Sequence, residues 1–220
     1  MQRLLKDNSL SLTMFGLFVV ALIGQSVTGL DVYNQDRLDH DNPTIGYTEY
    51  LTTDAFIEVT FENWESEFLQ MAAYVMLTVF LFQRGSAESK DPDKQEDVDE
   101  EPRDHRDDPN APWPVRQGGI ILRLYENSLF IAFALLFLLS MLLHAIGGAG
   151  EYSEEQMAHS ESGVSVLQYF GTSQFWFESL QNWQSEFLAV GSIVVLSVFL
   201  RQRGSPESKP VAMPNRETGS

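Results

Sequence analysis

The chain has 220 residues, no cysteine, and 31 acidic against 14 basic side chains, a net charge of −17. Without cysteine there are no disulfides, thiolate zinc sites, iron–sulfur clusters or cysteine nucleophile. An excess of acid also argues against nucleic acid, whose phosphates reward Lys and Arg.

The mean hydropathy of −0.14 looks like that of an ordinary soluble protein. That average hides strong segregation. Four apolar segments stand out: Leu10 to Leu30, Phe68 to Phe82, Leu129 to Ile146 and Phe187 to Leu200. The first and third are uncharged or nearly so, and close to the roughly 20 residues that cross a bilayer. The first follows Arg3 and Lys6, as a signal peptide would, but no clean small-x-small cleavage site follows it. It reads as a retained span.

A shift of 119 residues aligns the two halves without a gap. Asn8-Ser9-Leu10 falls on Asn127-Ser128-Leu129, and Gly29 on Gly148. Tyr50, Thr53 and Phe56 fall on Tyr169, Thr172 and Phe175. "NWESEFL" at 63–69 falls on "NWQSEFL" at 182–188, and Gln83-Arg84-Gly85-Ser86 on Gln202-Arg203-Gly204-Ser205. Roughly a third of about 83 aligned positions are identical, which marks a tandem duplication.

The expected fold is all-α and membrane-embedded: four transmembrane helices in two parallel repeats, each with an outer amphipathic helix. An even number of spans per half inserts both halves the same way up. Repeat 1 covers 1–90, with spans at about 10–30 and 64–83. Repeat 2 covers 119–209, with spans at about 128–147 and 183–202. Between them, 91–118 is acidic and poor in apolar residues. It is expected to be a disordered cytoplasmic linker, and 210–220 a disordered tail. Thirteen of the fourteen basic residues fall on the side that holds both termini and this linker, Arg37 being the exception. The termini are therefore expected in the cytoplasm and the protein in the inner membrane.

Before each short span, apolar residues recur at helical spacing: Ile57, Phe61, Trp64, Phe68 and again Trp176, Leu180, Trp183, Phe187. Trp64 and Trp183 suit the interfacial belt as anchors. Counting back about 20 residues from the cytoplasmic ends puts Glu67 and Glu186 just inside the hydrocarbon. Asn63 and Asn182 lie four residues earlier on the same face. Two readings stand. Asn63 and Asn182 cap helices, and the glutamates occupy the first turn. Alternatively Glu67, Glu186, Asn63 and Asn182, with Gln25 and His144, form an intramembrane polar cluster for ion or proton transfer.

Both outer loops repeat Tyr-x-x-acid-x-x-x-His. Asp36 with His40, and Glu155 with His159, offer a divalent metal two ligands per repeat if the loops converge. No G-x-S-x-G, H-E-x-x-H, phosphate-binding loop or dinucleotide-binding glycine run appears.

"NSLSLTMFGLFVVALIGQS", "VTFENWESEFL" and "FLFQRGSAESKDPD" together resemble an uncharacterised family of small multi-pass bacterial membrane proteins, a domain of unknown function. The resemblance implies a multi-pass membrane protein and carries no functional residues. The expectation is a non-enzymatic scaffold or complex subunit without cofactor. Its partners would be the lipid bilayer and either other membrane proteins or further copies of itself. The alternative is a small ion- or proton-coupled transporter or channel using Glu67 and Glu186.

Overall fold

The computed structural model describes residues 2–219. Met1, at the start of the expected first repeat, and Ser220, at the end of the expected tail, lie outside the described residues. Among the described residues there is no strand. The helices are α1 (Gln2–Asp7), α2 (Ser9–Asp39), α3 (Tyr47–Tyr50), α4 (Asp54–Phe80), α5 (Trp113–Gln117), α6 (Gly119–Glu126), α7 (Ser128–Ala158), α8 (Val166–Tyr169) and α9 (Ser173–Phe199).

Among the described residues, α2, α7 and α9 are long and apolar enough to cross a membrane. Little of their apolar stretches is buried inside the protein. Phe15 is 71% exposed, and Leu188 equally so. By contrast Glu65, His144 and Ser179 are fully buried. Apolar surface outside with polar groups inside is the arrangement that a hydrocarbon solvent favours and water penalises. The protein is a membrane protein of helical build.

The amphipathic stretch before each short span is not a separate helix. It is the first half of one continuous helix, α4 or α9. Thr53 and Thr172 start these helices: the backbone N–H of Phe56 donates to Thr53 Oγ1, and that of Phe175 to Thr172 Oγ1, both at 3.2 Å. Asn63 and Asn182 therefore sit within helices, which corrects the reading of them as N-caps. A threonine ten positions earlier already caps each helix, accepting one of its first-turn N–H groups. The helices also end sooner than the expected spans, at Phe80 and Phe199.

The chain packs into two compact units. One joins the residues up to Thr60 with Leu143–Phe170; the other joins Phe61–Leu142 with the residues from Gly171 on.

In the first unit, two tyrosines anchor the loops. The Tyr50 ring stands 5.6 Å from Tyr33, tilted 46°, and 5.3 Å from Phe56. The Tyr169 ring stands 5.8 Å from Tyr152, tilted 45°. Asn34 clamps Ile45, donating to its carbonyl at 3.1 Å and accepting its N–H at 2.8 Å. Ser153 treats Val164 likewise, at 3.2 and 2.9 Å. A Cβ on Gly148 would lie 2.5 Å from the Tyr169 ring, so only glycine lets the tyrosine seat there.

In the second unit, Phe68 of α4 meets Phe133 of α7, and Phe137 of α7 meets Trp183 of α9. Beyond each helix end the chain turns through Gly85 (φ 87°) and Gly204 (φ 85°), a left-handed backbone that favours glycine. The same bond closes both turns: Gln83 N–H donates to Ser89 Oγ, and Gln202 N–H to Ser208 Oγ, each at 2.8 Å. Residues 91–118, expected without regular structure, carry short 3₁₀ turns at Asp97–Asp99 and Pro102–His105, then α5. Lys90 pairs with Asp99, and His105 with Glu100 at 3.1 Å. The tail turns back: Thr218 Oγ1 accepts from Gly85 N–H at 2.8 Å, and buried Lys209 donates to the carbonyls of Asn215 and Glu217.

Candidate functional site

The duplicated glutamates are not the buried ones. Glu67 and Asn63 are exposed, and Glu186 is half-buried within electrostatic reach of Glu67. The fully buried acid is Glu65. At about 100° per residue, two positions along a helix turn the side chain through about 200°, to the opposite face. Glu65 faces the interior because Glu67 faces out.

Trp183 Nε1–H donates to Glu65 Oε1 at 3.0 Å. One turn earlier, Asn182 donates from Nδ2 to Glu62 Oε1 at 2.5 Å and to the Glu178 carbonyl at 3.3 Å. Both acids lie on α4 and both donors on α9. Trp183, expected as an interfacial anchor, thus turns its polar edge inward. Trp176 packs edge-on against it at 6.3 Å. Trp64 packs edge-on against Phe61 at 5.0 Å.

The acids begin a longer feature. On α4 every fourth residue from Glu62 is polar: Glu62, Ser66, Gln70, Tyr74, Thr78. Ser66 and Gln70 are buried and the others half-buried. At 1.5 Å per residue this ridge rises about 24 Å along the helix, most of a ~30 Å hydrocarbon core. Toward its C-terminal end the Tyr74 hydroxyl donates to Glu88 Oε2 at 2.9 Å. The positions on α9 at the 119-residue shift read Gln181, Ser185, Ala189, Ile193, Ser197, so the ridge belongs to α4 and not to α9.

A second cluster lies in the other unit. His144 is fully buried, with its ring edge-on to Tyr169 at 6.5 Å. The Tyr169 hydroxyl donates to Glu58 Oε1 at 3.2 Å. A ring nitrogen of His144 and a Glu58 carboxylate oxygen lie within 4.8 Å of each other. Gln25, the counterpart of His144, is half-buried on α2.

The outer histidines sit at helix ends, in solvent. His40 Nδ1 contacts the Asp36 carbonyl at 2.9 Å and its carboxylate at 3.5 Å, and both side chains are more than half exposed. That carbonyl first, then the carboxylate, raises the His40 pKa above 6.5. Glu155 and His159 are exposed. Among the described residues, Asp36, His40, Glu155 and His159 do not gather into a group of three or more metal ligands.

Sequence reasoning missed Glu58, Glu62, Glu65 and Tyr74, because it looked where the repeats agree. The usable signal was where they differ: Glu58, Glu62 and Glu65 fall on Phe177, Gln181 and Gln184.

A family model, "Domain of unknown function (DUF6766)", matches residues 1–220. The chain belongs to this family. No curated protein and no solved structure matches it. Membership in DUF6766 agrees with the resemblance drawn from the repeated motifs and assigns no chemistry to the acids of α4.

Proposed function

We propose that this DUF6766 protein is a four-span inner-membrane protein of two parallel repeats, with cytoplasmic termini and no enzymatic activity, that conducts protons through its interior. The observation that carries the reading is the polar ridge of α4 from Glu62 to Thr78. A buried ionisable group at membrane depth is expensive, and such groups mark ion or proton pathways. Here the carboxylates concerned are Glu62 and Glu65, not Glu67 and Glu186.

The contacts that recur at an offset of 119 support the repeat. They are Tyr33–Tyr50 with Tyr152–Tyr169, Asn34–Ile45 with Ser153–Val164, and the two Gln–Ser turns. The inward acids support α4 as the fourth span. Its 27 residues measure about 40 Å as a helix, more than a bilayer core needs. Its charges lower the apolar count of the helix, but Glu62 and Glu65 spend their hydrogen bonds on Asn182 and Trp183 rather than facing lipid. Rungs four residues apart are about 6 Å apart along the axis, so conduction requires a water molecule between neighbouring rungs. The scaffold or complex-subunit reading is the competitor.

The test uses the full chain in liposomes loaded with a pH-sensitive dye, with a potassium diffusion potential as the driving force. The wild type acidifies the lumen faster than empty liposomes, and Glu65→Gln slows it by about tenfold or more. Wild-type flux equal to that of empty liposomes removes the conduction reading and leaves the scaffold.

A further inference from the structure

The ridge of α4 ends on a carboxyl that is only half satisfied. Tyr74 donates its hydroxyl proton to Glu88 Oε2 at 2.9 Å and approaches the Glu88 carbonyl at 3.3 Å. The other oxygen, Oε1, is buried and has no hydrogen-bond partner. Glu207 lies within electrostatic reach. Glu207 is also the counterpart of Glu88 at the 119-residue shift, on the matching turn of the second half. The groups that face Glu88 are therefore a neutral donor from α4 and a like charge from the C-terminal turn.

A carboxylate in that setting is poorly served. Burial penalises the anion, one donor offsets part of that penalty, and a second carboxylate repels it. Burial is the largest cause, the Tyr74 hydrogen bond opposes it, and Glu207 adds repulsion; the net effect raises the Glu88 pKa. A proton placed on Oε1 removes the repulsion and gives that oxygen a hydrogen to donate.

We propose that Glu88, with Glu207 beside it, forms a proton-binding site at the cytoplasmic end of the α4 ridge. Its role in transport rests on the conduction reading; its occupancy does not. The exchange is balanced. Tyr74 takes a proton from a hydronium ion on the ridge as it passes its own O–H proton to the Glu88 carboxylate. The protonated Glu88 gives its proton to the Glu207 carboxylate, which releases it to cytoplasmic water. The charge moved is one proton, and no oxidant or reductant takes part.

Infrared titration of the full chain in lipid nanodiscs reads this directly. The wild type shows a protonated-carboxyl band that disappears with a midpoint above the ordinary 4.5 of a glutamate. Glu88→Gln removes that band. Glu207→Gln, at an exposed position, lowers the midpoint by about half a pH unit or more, because the repulsion is gone. Tyr74→Phe raises it, because the anion loses its donor. A band that survives Glu88→Gln overturns the proposal, as does a midpoint indifferent to Glu207→Gln. If Glu88→Gln fails to fold, the Glu207→Gln and Tyr74→Phe shifts, of opposite sign, decide. Failed conduction with these shifts intact removes the transport role and leaves the site; conduction without them removes the site alone.

Discussion

The indole Nε1–H of Trp183 donates to Glu65 Oε1 at 3.0 Å, inside a protein whose surface is largely apolar. The tryptophan recurs at the 119-residue shift, as Trp64 and Trp183, but the glutamate it serves does not, because the position matching Glu65 is Gln184.

Removing that donor leaves a buried carboxylate oxygen underserved, at a cost of about 1–3 kcal/mol. Trp183→Phe is expected to lower the thermal stability in detergent by that order, and Glu67→Ala to change it by a few tenths of a kcal/mol at an exposed position. A double-mutant cycle with Glu65→Gln and Trp183→Phe isolates the coupling. A coupling energy of zero in that cycle would show that packing, not the hydrogen bond, carries the effect.

Gly148 holds the seat of Tyr169. In Gly148→Ala the new methyl would sit 2.5 Å from the ring, and the ring must shift from Glu58 and His144. The expected loss is about 1–3 kcal/mol in thermal unfolding. Gly16→Ala meets nothing within 4 Å and is expected to be neutral or slightly stabilising.

The raised pKa of Glu88 has a defined sign in stability. A carboxyl whose pKa is higher folded than unfolded contributes stability below its unfolded value, and loses it as pH rises through the folded value. For Glu88 the window opens at its ordinary 4.5 and extends upward to the raised value. Melting temperatures followed upward from pH 4.5 are expected to fall for the wild type relative to Glu88→Gln, which cannot ionise. Parallel curves for the two would contradict the raised value.

The absence of cysteine makes labelling free of background. A cysteine at Ser89 is expected to react with an impermeant reagent only from the cytoplasmic side, and one at Ser162 only from outside. Reaction at Ser162 from the cytoplasm would reverse the orientation drawn from Lys and Arg.

Sequence alone determined the helical membrane build, the 119-residue correspondence of the two halves and the family. These follow from properties that repeat locally: runs of apolar residues as long as a bilayer is thick, and identities at one fixed shift. The Gln-Arg-Gly-Ser turns were legible for the same reason, since a left-handed glycine and a serine four residues on set their own geometry. Which glutamate is buried was not legible. Glu65 and Glu67 have the same chemistry and nearly the same depth. Only the rotation of α4 against α7 and α9, set by contacts such as Phe68 with Phe133 and Phe137 with Trp183, turned Glu65 inward. The partnership of Glu88 with Tyr74 and Glu207 was equally a tertiary outcome, because it joins positions 14 and 119 residues apart that no local pattern connects.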